Sequence, residues 1–246
     1  MIKFFRQIRK KLIEQNKARN YYFYAIGEIL LVVIGILIAL QINNANEAYK
    51  AKQSEQVVLK NIVQDLRADS LAFNVNLDLL RQINNLHLTL YEIGVKGMDI
   101  DIEDPNLIRY MIYHNPIAIK NDPNINGKIS NEAIRKAINT YSRYLIDLDA
   151  VALQFEELIE SRMRVFLADK KVHRLSGWFE NKAIAKDLLP SEFIDKSDLI
   201  LLSKTPEFQQ LLLEASIKSK STGANYETVL AQNQKLKELI QKELKE

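Results

Sequence analysis

The sequence predicts an all-α protein in which a single N-terminal transmembrane helix precedes a long helix and a helical bundle outside the membrane. The 246 residues are 47% hydrophobic and 26% charged, with only 7 Gly and 5 Pro, a composition typical of ordered helical chains. A long stretch near the N-terminus is almost free of charge, and beyond it apolar residues recur at helical spacing. We expect a basic cytoplasmic tail over residues 1–20, a transmembrane helix over 21–42 and an extramembrane helical domain over 43–246.

The N-terminal tail carries the basic character of the chain. Residues 1–40 hold seven Lys and Arg against two Glu, so the rest of the chain is slightly acidic although the formal net charge is +3. A nucleic-acid-binding protein would carry its basic residues on the folded domain, so we expect no nucleic-acid partner. Phe5, Ile8 and Leu12 recur at helical spacing among the basic residues, which predicts an amphipathic helix on the anionic leaflet. A charged stop that only sets topology is the alternative, and the two roles are compatible.

The transmembrane prediction depends on the stretch Tyr21 to Leu40, which contains one charged residue, Glu28. Twenty helical residues span roughly 30 Å, the thickness of the hydrocarbon core of a bilayer. Residues 29–40 contain no polar side chain, which argues against a core helix of a soluble protein. A cleaved signal peptide is the closest rival. The long preceding segment, the length of the apolar run and the lack of an A-x-A pattern after Leu40 favour an uncleaved anchor.

The charges that flank the apolar stretch predict its orientation. Seven Lys and Arg precede it, whereas the 20 residues after Leu40 hold only Lys50, Lys52 and Lys60. The positive-inside rule therefore places the N-terminus in the cytoplasm and the large C-terminal domain across the membrane. In a Gram-negative cell this is a single-pass inner-membrane protein with a periplasmic domain, and the absence of Cys is compatible with that compartment.

One face of the transmembrane helix is a candidate packing surface. Steps of four, three and four residues place Glu28, Val32, Gly35 and Ala39 on the same stripe. Gly35 and Ala39 form a small-xxx-small pair that lets a second helix approach closely. Glu28 is then a candidate interhelical hydrogen-bond donor, but snorkelling to the nearby headgroups and a proton or ion pathway are the alternatives.

The string AIGEILLVVIGILIALQINNANE, Ala25 to Glu47, resembles the signature of a family of uncharacterised bacterial inner-membrane proteins with a single span. Members of this family are similar to the chain in their basic start, of the type MIKFFRQIRKKL, and in the helical domain that follows the span. Where the family typically has Trp-Asn-Glu after the paired Asn, this chain has Ala45, so an interfacial Trp anchor is missing. The segment Ile125 to Ile138 is similar to a further, weaker family pattern. The resemblance implies no activity, because none is assigned to the family.

Beyond the span the pattern stays helical. Apolar residues recur at three, four and seven positions from Leu59 to Leu80, and no Pro or Gly interrupts residues 43–93. This predicts a long helix that continues the membrane helix as a stalk with coiled-coil-like spacing and then joins a bundle. A break at Asn43-Asn44 is an equal alternative, because paired Asn residues disfavour helix interiors.

The remaining elements are predicted from breakers and periodicity. We expect a loop over 94–106, a short helix from Leu107 to His114 and a turn-rich connection over 115–127. A helical block follows over 131–171, broken once near Asp147 to Asp149, and then an irregular stretch over 172–204. A helix should start at Thr205-Pro206-Glu207, and a hinge at Thr222-Gly223 should separate it from a final helix. The core candidates in these elements are Ile134, Ile138, Leu145, Leu153, Phe155, Leu158, Met163, Phe166, Phe208, Leu211, Leu212, Ala215, Tyr226, Val229, Leu236, Ile240 and Leu244.

No recognisable chemistry accompanies these elements. Asp99, Asp101 and Glu103 alternate like the start of an EF-hand loop, but the positions for the required Gly and bidentate Glu hold Asp104 and Tyr110, which favours a solvated acidic loop or a short edge strand. The nucleotide-binding, hydrolase and zinc-protease motifs are absent, and the lack of Cys excludes thiol catalysis. We therefore expect no catalytic, cofactor-binding or metal-binding residue and no enzyme activity.

The three histidines, His87, His114 and His173, are far apart in sequence and none belongs to a Glu-x-x-His pair. His87 lies on a predicted helix near Leu80 and Tyr91, so a partly buried structural role is favoured over a ligand role. The function that fits the sequence is a membrane-anchored, non-enzymatic scaffold or interaction module. Its expected partners are the lipid bilayer and a second copy or another membrane protein bound through the span. A periplasmic ligand-sensing bundle that acts through a membrane partner is the alternative.

Overall fold

The structure, a computed structural model, describes residues 18–118, 124–179 and 193–245. Within these ranges it contains six α-helices: α1 Ala18–Lys96, α2 Glu132–Leu158, α3 Arg164–Asp169, α4 Leu175–Phe179, α5 Lys196–Ser203 and α6 Pro206–Glu243. Two 3-10 turns, Pro105–Arg109 and Ile125–Lys128, and a π-helical turn, Ile159–Met163, complete the regular structure of the described residues. These residues form no strand, only an isolated bridge between His173 and Ile194. The all-α prediction is confirmed.

The chain divides into two compact units, residues 1–57 and residues 58–246. The described part of the first unit is residues 18–57 of α1, and the predicted amphipathic tail lies almost wholly outside the described residues. The helix passes through Asn43 and Asn44 without a break. By length and composition α1 is able to cross a membrane, and none of its most apolar stretch is buried in the protein. Such a helix suits a membrane anchor or a signal sequence.

The second unit is built on the part of α1 that starts at residue 58. Its apolar residues return to the same face every three or four positions, and that face is buried in the core. The predicted core residues are all buried: Leu59, Ile62, Leu66, Phe73, Leu77 and Leu80. The same face continues through Ile83, Leu86, Leu90 and Ile93, so the predicted long helix over 43–93 is confirmed.

The helical block predicted over 131–171 is interrupted at a different place from the one predicted. Asp147 to Asp149 lie inside α2 and do not break it. Asp costs a helix less than about 1 kcal/mol per residue, whereas Leu148, which is fully buried, contributes about 1.5–3 kcal/mol. The irregularity falls at the π-helical turn Ile159–Met163, where Ile159 and Met163 are both buried. Leu153, a predicted core residue, is 62% exposed and that prediction was wrong.

The last helix begins as predicted, with Thr205 at the N-cap and Pro206 in the first turn. The predicted hinge at Thr222-Gly223 was wrong, because α6 runs through both residues. The Thr222 hydroxyl donates to the Lys218 carbonyl at 2.9 Å, inside the helix. At Gly223 the position of a Cβ is 3.8 Å from Leu77 Cδ1, so this short residue lies against α1. Packing of this kind outweighs the cost of about 1 kcal/mol for Gly in a helix.

The connection between α1 and α2 is mostly extended. The predicted helix over Leu107 to His114 was wrong: a 3-10 turn, Pro105–Arg109, starts with Asp104 as its cap, and non-helical backbone follows to Ile117. Extended backbone suits a segment that leads to Pro116, since the residue before Pro disfavours the helical region. Residues 119–123 of the predicted turn-rich connection lie outside the described residues. The connection brings polar groups into the core between the helices.

Candidate functional site

The predicted packing residues of the first unit lie on one face of α1. Steps of four, three and four residues keep Glu28, Val32, Gly35 and Ala39 on that face, because the segment is a regular helix. Glu28 is half-buried and Val32 is 55% exposed. No heavy atom comes within 4 Å of the position of a Cβ at Gly35. Among the described residues, the open surface along this stripe leaves room for a second helix.

The second unit contains a cavity of about 290 Å³ between α1 and α6. It opens to the surface, since Leu88, Tyr91, Val95 and Leu213 of its lining are each at least 44% exposed. Its walls are mainly apolar, and polar groups enter from both helices. The lining residues are Asn84, His87, Leu88, Tyr91 and Val95 of α1, and Gln209, Leu212, Leu213, Ser216 and Lys220 of α6. Apolar walls with a few converging polar groups are typical of small-molecule sites.

His87 is the unusual member of this lining. Its residue surface is 2% exposed, and neither Nδ1 nor Nε2 has a hydrogen-bond partner. A buried polar group without a partner costs about 1–3 kcal/mol, so the arrangement is unfavourable as it stands. Burial and, to a smaller extent, the positive charge of Lys220 lower the pKa of His87 to about 4. The imidazole is therefore neutral at pH 7 and presents one N–H donor and one acceptor nitrogen. The predicted structural His is buried, but it has no structural partner.

His114 is held in a separate network that joins four segments. Its Nδ1 lies 3.1 Å from the Tyr226 hydroxyl, and its Nε2 lies 3.1 Å from Asp149 Oδ1. Asn76 Nδ2 donates to the same hydroxyl at 2.9 Å, and Phe73 stacks on the imidazole at 5.3 Å between ring centroids. The Tyr226 hydroxyl fits as the donor to Nδ1, which leaves the proton of the neutral imidazole on Nε2, within ion-pair distance of the Asp149 carboxylate. Burial raises the pKa of Tyr226 to about 12, so its hydroxyl keeps its proton.

A second buried polar layer surrounds Asp69 of α1. Its carboxylate accepts from the backbone N–H groups of Ile117, at 2.8 Å, and Ala118, at 3.0 Å. The Tyr141 hydroxyl of α2 lies at 3.5 Å, and the side chain of Asn233 of α6 donates to that hydroxyl at 3.3 Å. Burial raises the pKa of the Asp69 carboxyl, although the two backbone hydrogen bonds oppose it. These contacts tie the extended connection to three helices.

A third layer lies next to the cavity. The Ser219 hydroxyl of α6 donates to Asn84 Oδ1 of α1 at 2.7 Å. One turn further along α6, the Thr222 hydroxyl shares its proton between the Lys218 carbonyl at 2.9 Å and the Val151 carbonyl of α2 at 3.3 Å. Ser219 and Thr222 are both fully buried. Their short polar side chains therefore join α6 to both neighbouring helices.

The acidic loop after α1 is engaged by protein groups. Lys196 Nζ donates to Asp101 Oδ1 at 2.9 Å, and this hydrogen bond and the charge of Lys196 lower the pKa of Asp101. Asp104 Oδ1 accepts from the backbone N–H of Asn106 at 2.9 Å. No group of three or more His, Asp or Glu residues in the described ranges is placed to hold a metal ion. The solvated acidic loop expected from the sequence accounts for these residues.

The sequence predicted a buried role for His87 but gave no indication of the cavity or of the His114 network, and the packing role of the stripe on α1 stays a prediction. His114, Asp149 and Tyr226 come from three different segments, and Asp149 lies in a region predicted as a helix break. The signal that could have located the cavity is a polar residue, His87, at a core position of α1, with Lys220 and Ser216 on α6.

The comparison with protein families matches residues 28–108 to a family of unknown function (DUF6090). The match covers roughly a third of the chain, and the resemblance to an uncharacterised family is confirmed over that segment. The matched segment contains the packing stripe and His87. The comparison with curated proteins finds no match, and the comparison with solved structures finds none.

Proposed function

We propose that this chain is a single-span, membrane-anchored helical protein of the bacterial inner membrane and serves as a non-enzymatic interaction module. The observation that carries the proposal is the uncovered apolar surface of α1. Ten large apolar side chains between Ile29 and Leu40 are each at least 43% exposed. Covering side chains of this kind is worth about 1.5–3 kcal/mol each. The sum is comparable to or larger than the whole stability of a typical domain, so a lipid environment or a partner is required.

The orientation follows from the charges that flank the apolar stretch. Seven Lys and Arg precede it and three lie within the next 20 residues, which favours a cytoplasmic N-terminus and a periplasmic C-terminal domain. The test is a pair of reporters fused to the C-terminal end, one active only in the cytoplasm and one active only outside it. We expect activity from the second reporter alone. Resistance of the full chain to alkaline extraction from membranes separates an anchored protein from one released by signal cleavage.

The interaction proposed for the span is with a second copy of the chain. Gly35 and Ala39 leave room for close approach, and the interhelical contacts available in a membrane are those of van der Waals packing and hydrogen bonding. The second unit supports binding rather than catalysis, since its buried polar groups at Asp69, His114 and Ser219 are engaged in holding segments together.

The natural absence of Cys makes this interaction testable by disulfide crosslinking in native membranes. A single Ala39→Cys change places a thiol on the stripe, whereas Leu37→Cys places one on the opposite face, since two residues correspond to about 200° of helix rotation. We expect a crosslinked dimer from Ala39→Cys and little from Leu37→Cys. Adding Gly35→Leu should abolish the Ala39→Cys crosslink, while Gly27→Leu, about 80° away around the helix, should preserve it. Equal crosslinking from both faces would refute the proposed interface.

A second candidate function, a ligand-sensing bundle that acts through a membrane partner, is favoured by one observation. The cavity at His87 contains a buried polar group without a protein partner. Such a group is expected where a ligand completes the hydrogen bonding, and it is not needed for a scaffold.

A further inference from the structure

The cavity between α1 and α6 has the features of a small-molecule site that opens to the surface of the second unit. His87 contributes two nitrogens without partners, and both are buried. The neighbouring polar groups are already engaged: Asn84 Oδ1 accepts from Ser219, and Gln209 Nε2 donates to the Ser203 carbonyl at 3.1 Å. The imidazole is therefore the buried group of this lining for which neither polar atom has a partner.

The charge at the cavity selects among ligands. Lys220 is exposed at the lining, and its positive charge acts on His87. A ligand anion next to this ammonium is favoured, whereas a ligand cation is repelled. Both ring nitrogens of His87 are buried in the structure, so a hydrogen bond from its N–H to an oxygen of that anion requires the ring to turn towards the cavity. A carboxylate satisfies both groups.

The apolar walls of the cavity determine the size and the apolar character of the rest of the ligand. Leu88, Tyr91 and Val95 line the α1 side, and Leu212 and Leu213 line the α6 side. An apolar cavity of 150 Å³ accepts benzene, so about 290 Å³ suits a molecule of roughly ten non-hydrogen atoms. An unbranched acid of eight carbons has this size.

We propose that this cavity binds a small aliphatic monocarboxylate, with its carboxylate at His87 and Lys220 and its chain against the leucine-rich walls. The inference deepens the ligand-sensing candidate, and it does not depend on membrane orientation or on contact between copies. Its test is therefore separate from the reporter and crosslinking experiments, and either result can fail without the other.

The experiment uses the full chain in lipid nanodiscs without free detergent, because octyl chains of detergents would compete. Octanoate is titrated by calorimetry and compared with octylamine, octanol and acetate. We expect saturable 1:1 binding of octanoate and no saturable binding of octylamine. Acetate and octanol should each bind with an affinity at least about tenfold lower than that of octanoate. In NMR spectra, the imidazole signals of His87 should shift on saturation with octanoate, and its pKa should rise.

Matched variants locate the ligand. Leu213→Trp fills the cavity from a residue that is 51% exposed, so the fold should tolerate it, and we expect it to abolish octanoate binding. Leu153→Trp, on a residue 62% exposed on α2 and outside the lining, is the control and should bind like the wild type. His87→Leu and Lys220→Gln should each weaken binding about tenfold or more.

Three outcomes would overturn the proposal. Equal affinity for octanoate, octanol and octylamine would show apolar partitioning without recognition of the acid. If none of the probes binds saturably, the cavity is not a binding site for small acids and holds only water. A disulfide-linked dimer formed by Leu213→Cys but not by Leu153→Cys would assign the cavity to a second chain.

Discussion

The two parts of α1 contain similar kinds of apolar residue and differ in how those residues are arranged. Between Ile29 and Leu40 they cover every face of the helix, and all the large ones are exposed in the structure. From Leu59 to Ile93 they return every three or four positions, and that face is buried. The pattern of apolar residues, more than their number, therefore determines whether a helix is covered by protein on one side or requires an apolar environment on all sides.

The largest expected effect is from a core truncation in the second part of α1. Phe73 is 2% exposed and contacts His114 and Tyr226, so Phe73→Ala should lower the free energy of unfolding of the bundle by about 3–5 kcal/mol. Hydrogen exchange of α6 amides in the full chain measures this loss. Leu31→Ala, at a residue that is 70% exposed in the first part, should leave the exchange unchanged. A similar loss from both changes would remove the contrast between the two parts.

The next effect is a pH dependence that originates at His87. Because the pKa of His87 is lowered to about 4, the unfolded chain takes up a proton at higher pH than the folded chain. The free energy of unfolding is therefore unaffected by this titration above the ordinary pKa of 6.5, and it decreases as pH falls towards 4. The loss between pH 7 and pH 4 should be about 3 kcal/mol.

The measurement is the difference in unfolding free energy between wild type and His87→Leu at both pH values. Asp69 has a raised pKa, so it contributes stability that is present at low pH and lost as pH rises. That contribution is common to both chains and cancels in the difference. A pH-independent difference would show that His87 titrates normally and is not buried in solution.

A smaller effect is expected at the end of α1, where it meets α5. At Gly94 a Cβ would lie 1.9 Å from the Ser203 carbonyl oxygen, which is backbone and cannot rotate away. Gly94→Ala should therefore destabilise the bundle by about 1–3 kcal/mol, although Ala is otherwise the better helix former. Gly127→Ala, with no atom within 4 Å, should not destabilise it when both are compared by thermal unfolding. Greater stability of Gly94→Ala would contradict this close approach.

The smallest effect tests exposure within the buried part of α1. Leu71 is 72% exposed between buried residues, so Leu71→Ser should change the unfolding free energy by less than about 0.5 kcal/mol. Leu66→Ser, at a fully buried residue five positions away, should unfold or strongly destabilise the bundle. Similar losses at the two positions, measured by urea titration, would indicate that the face of Leu71 is also covered.

The sequence was sufficient to predict the features that depend on short-range periodicity. The helix over 43–93, its buried face and the start of α6 at Pro206 are examples, since each depends on neighbours within a few turns. The predicted break at Asp147 to Asp149 and the hinge at Thr222-Gly223 were wrong, because local propensities of about 1 kcal/mol are smaller than the gain from packing.

The candidate site was predictable only in part. The burial of His87 follows from its position on α1, but the cavity depends on which residues of α6 stand opposite. His114 and Tyr226 are 112 positions apart, and their contact depends on an extended segment that was predicted as helix. Contacts of this range are set by tertiary packing, which periodicity does not contain.

The three polar layers have a consequence for how the bundle assembles. Each layer contains a hydrogen bond between α1 and α6: Asn84 with Ser219, Asn76 with Tyr226, and the Leu66 carbonyl with Asn233. The residue numbers fall along α1 as they rise along α6, because the two helices are antiparallel. Successive layers are seven residues apart on α6 but eight and ten residues apart on α1, so a slide of one heptad would not bring the polar residues of the two helices back into matching positions. It would leave buried amides and hydroxyls with the wrong partners at every level. The layers thus specify the register of the two helices, because one alignment satisfies all three sets of hydrogen bonds.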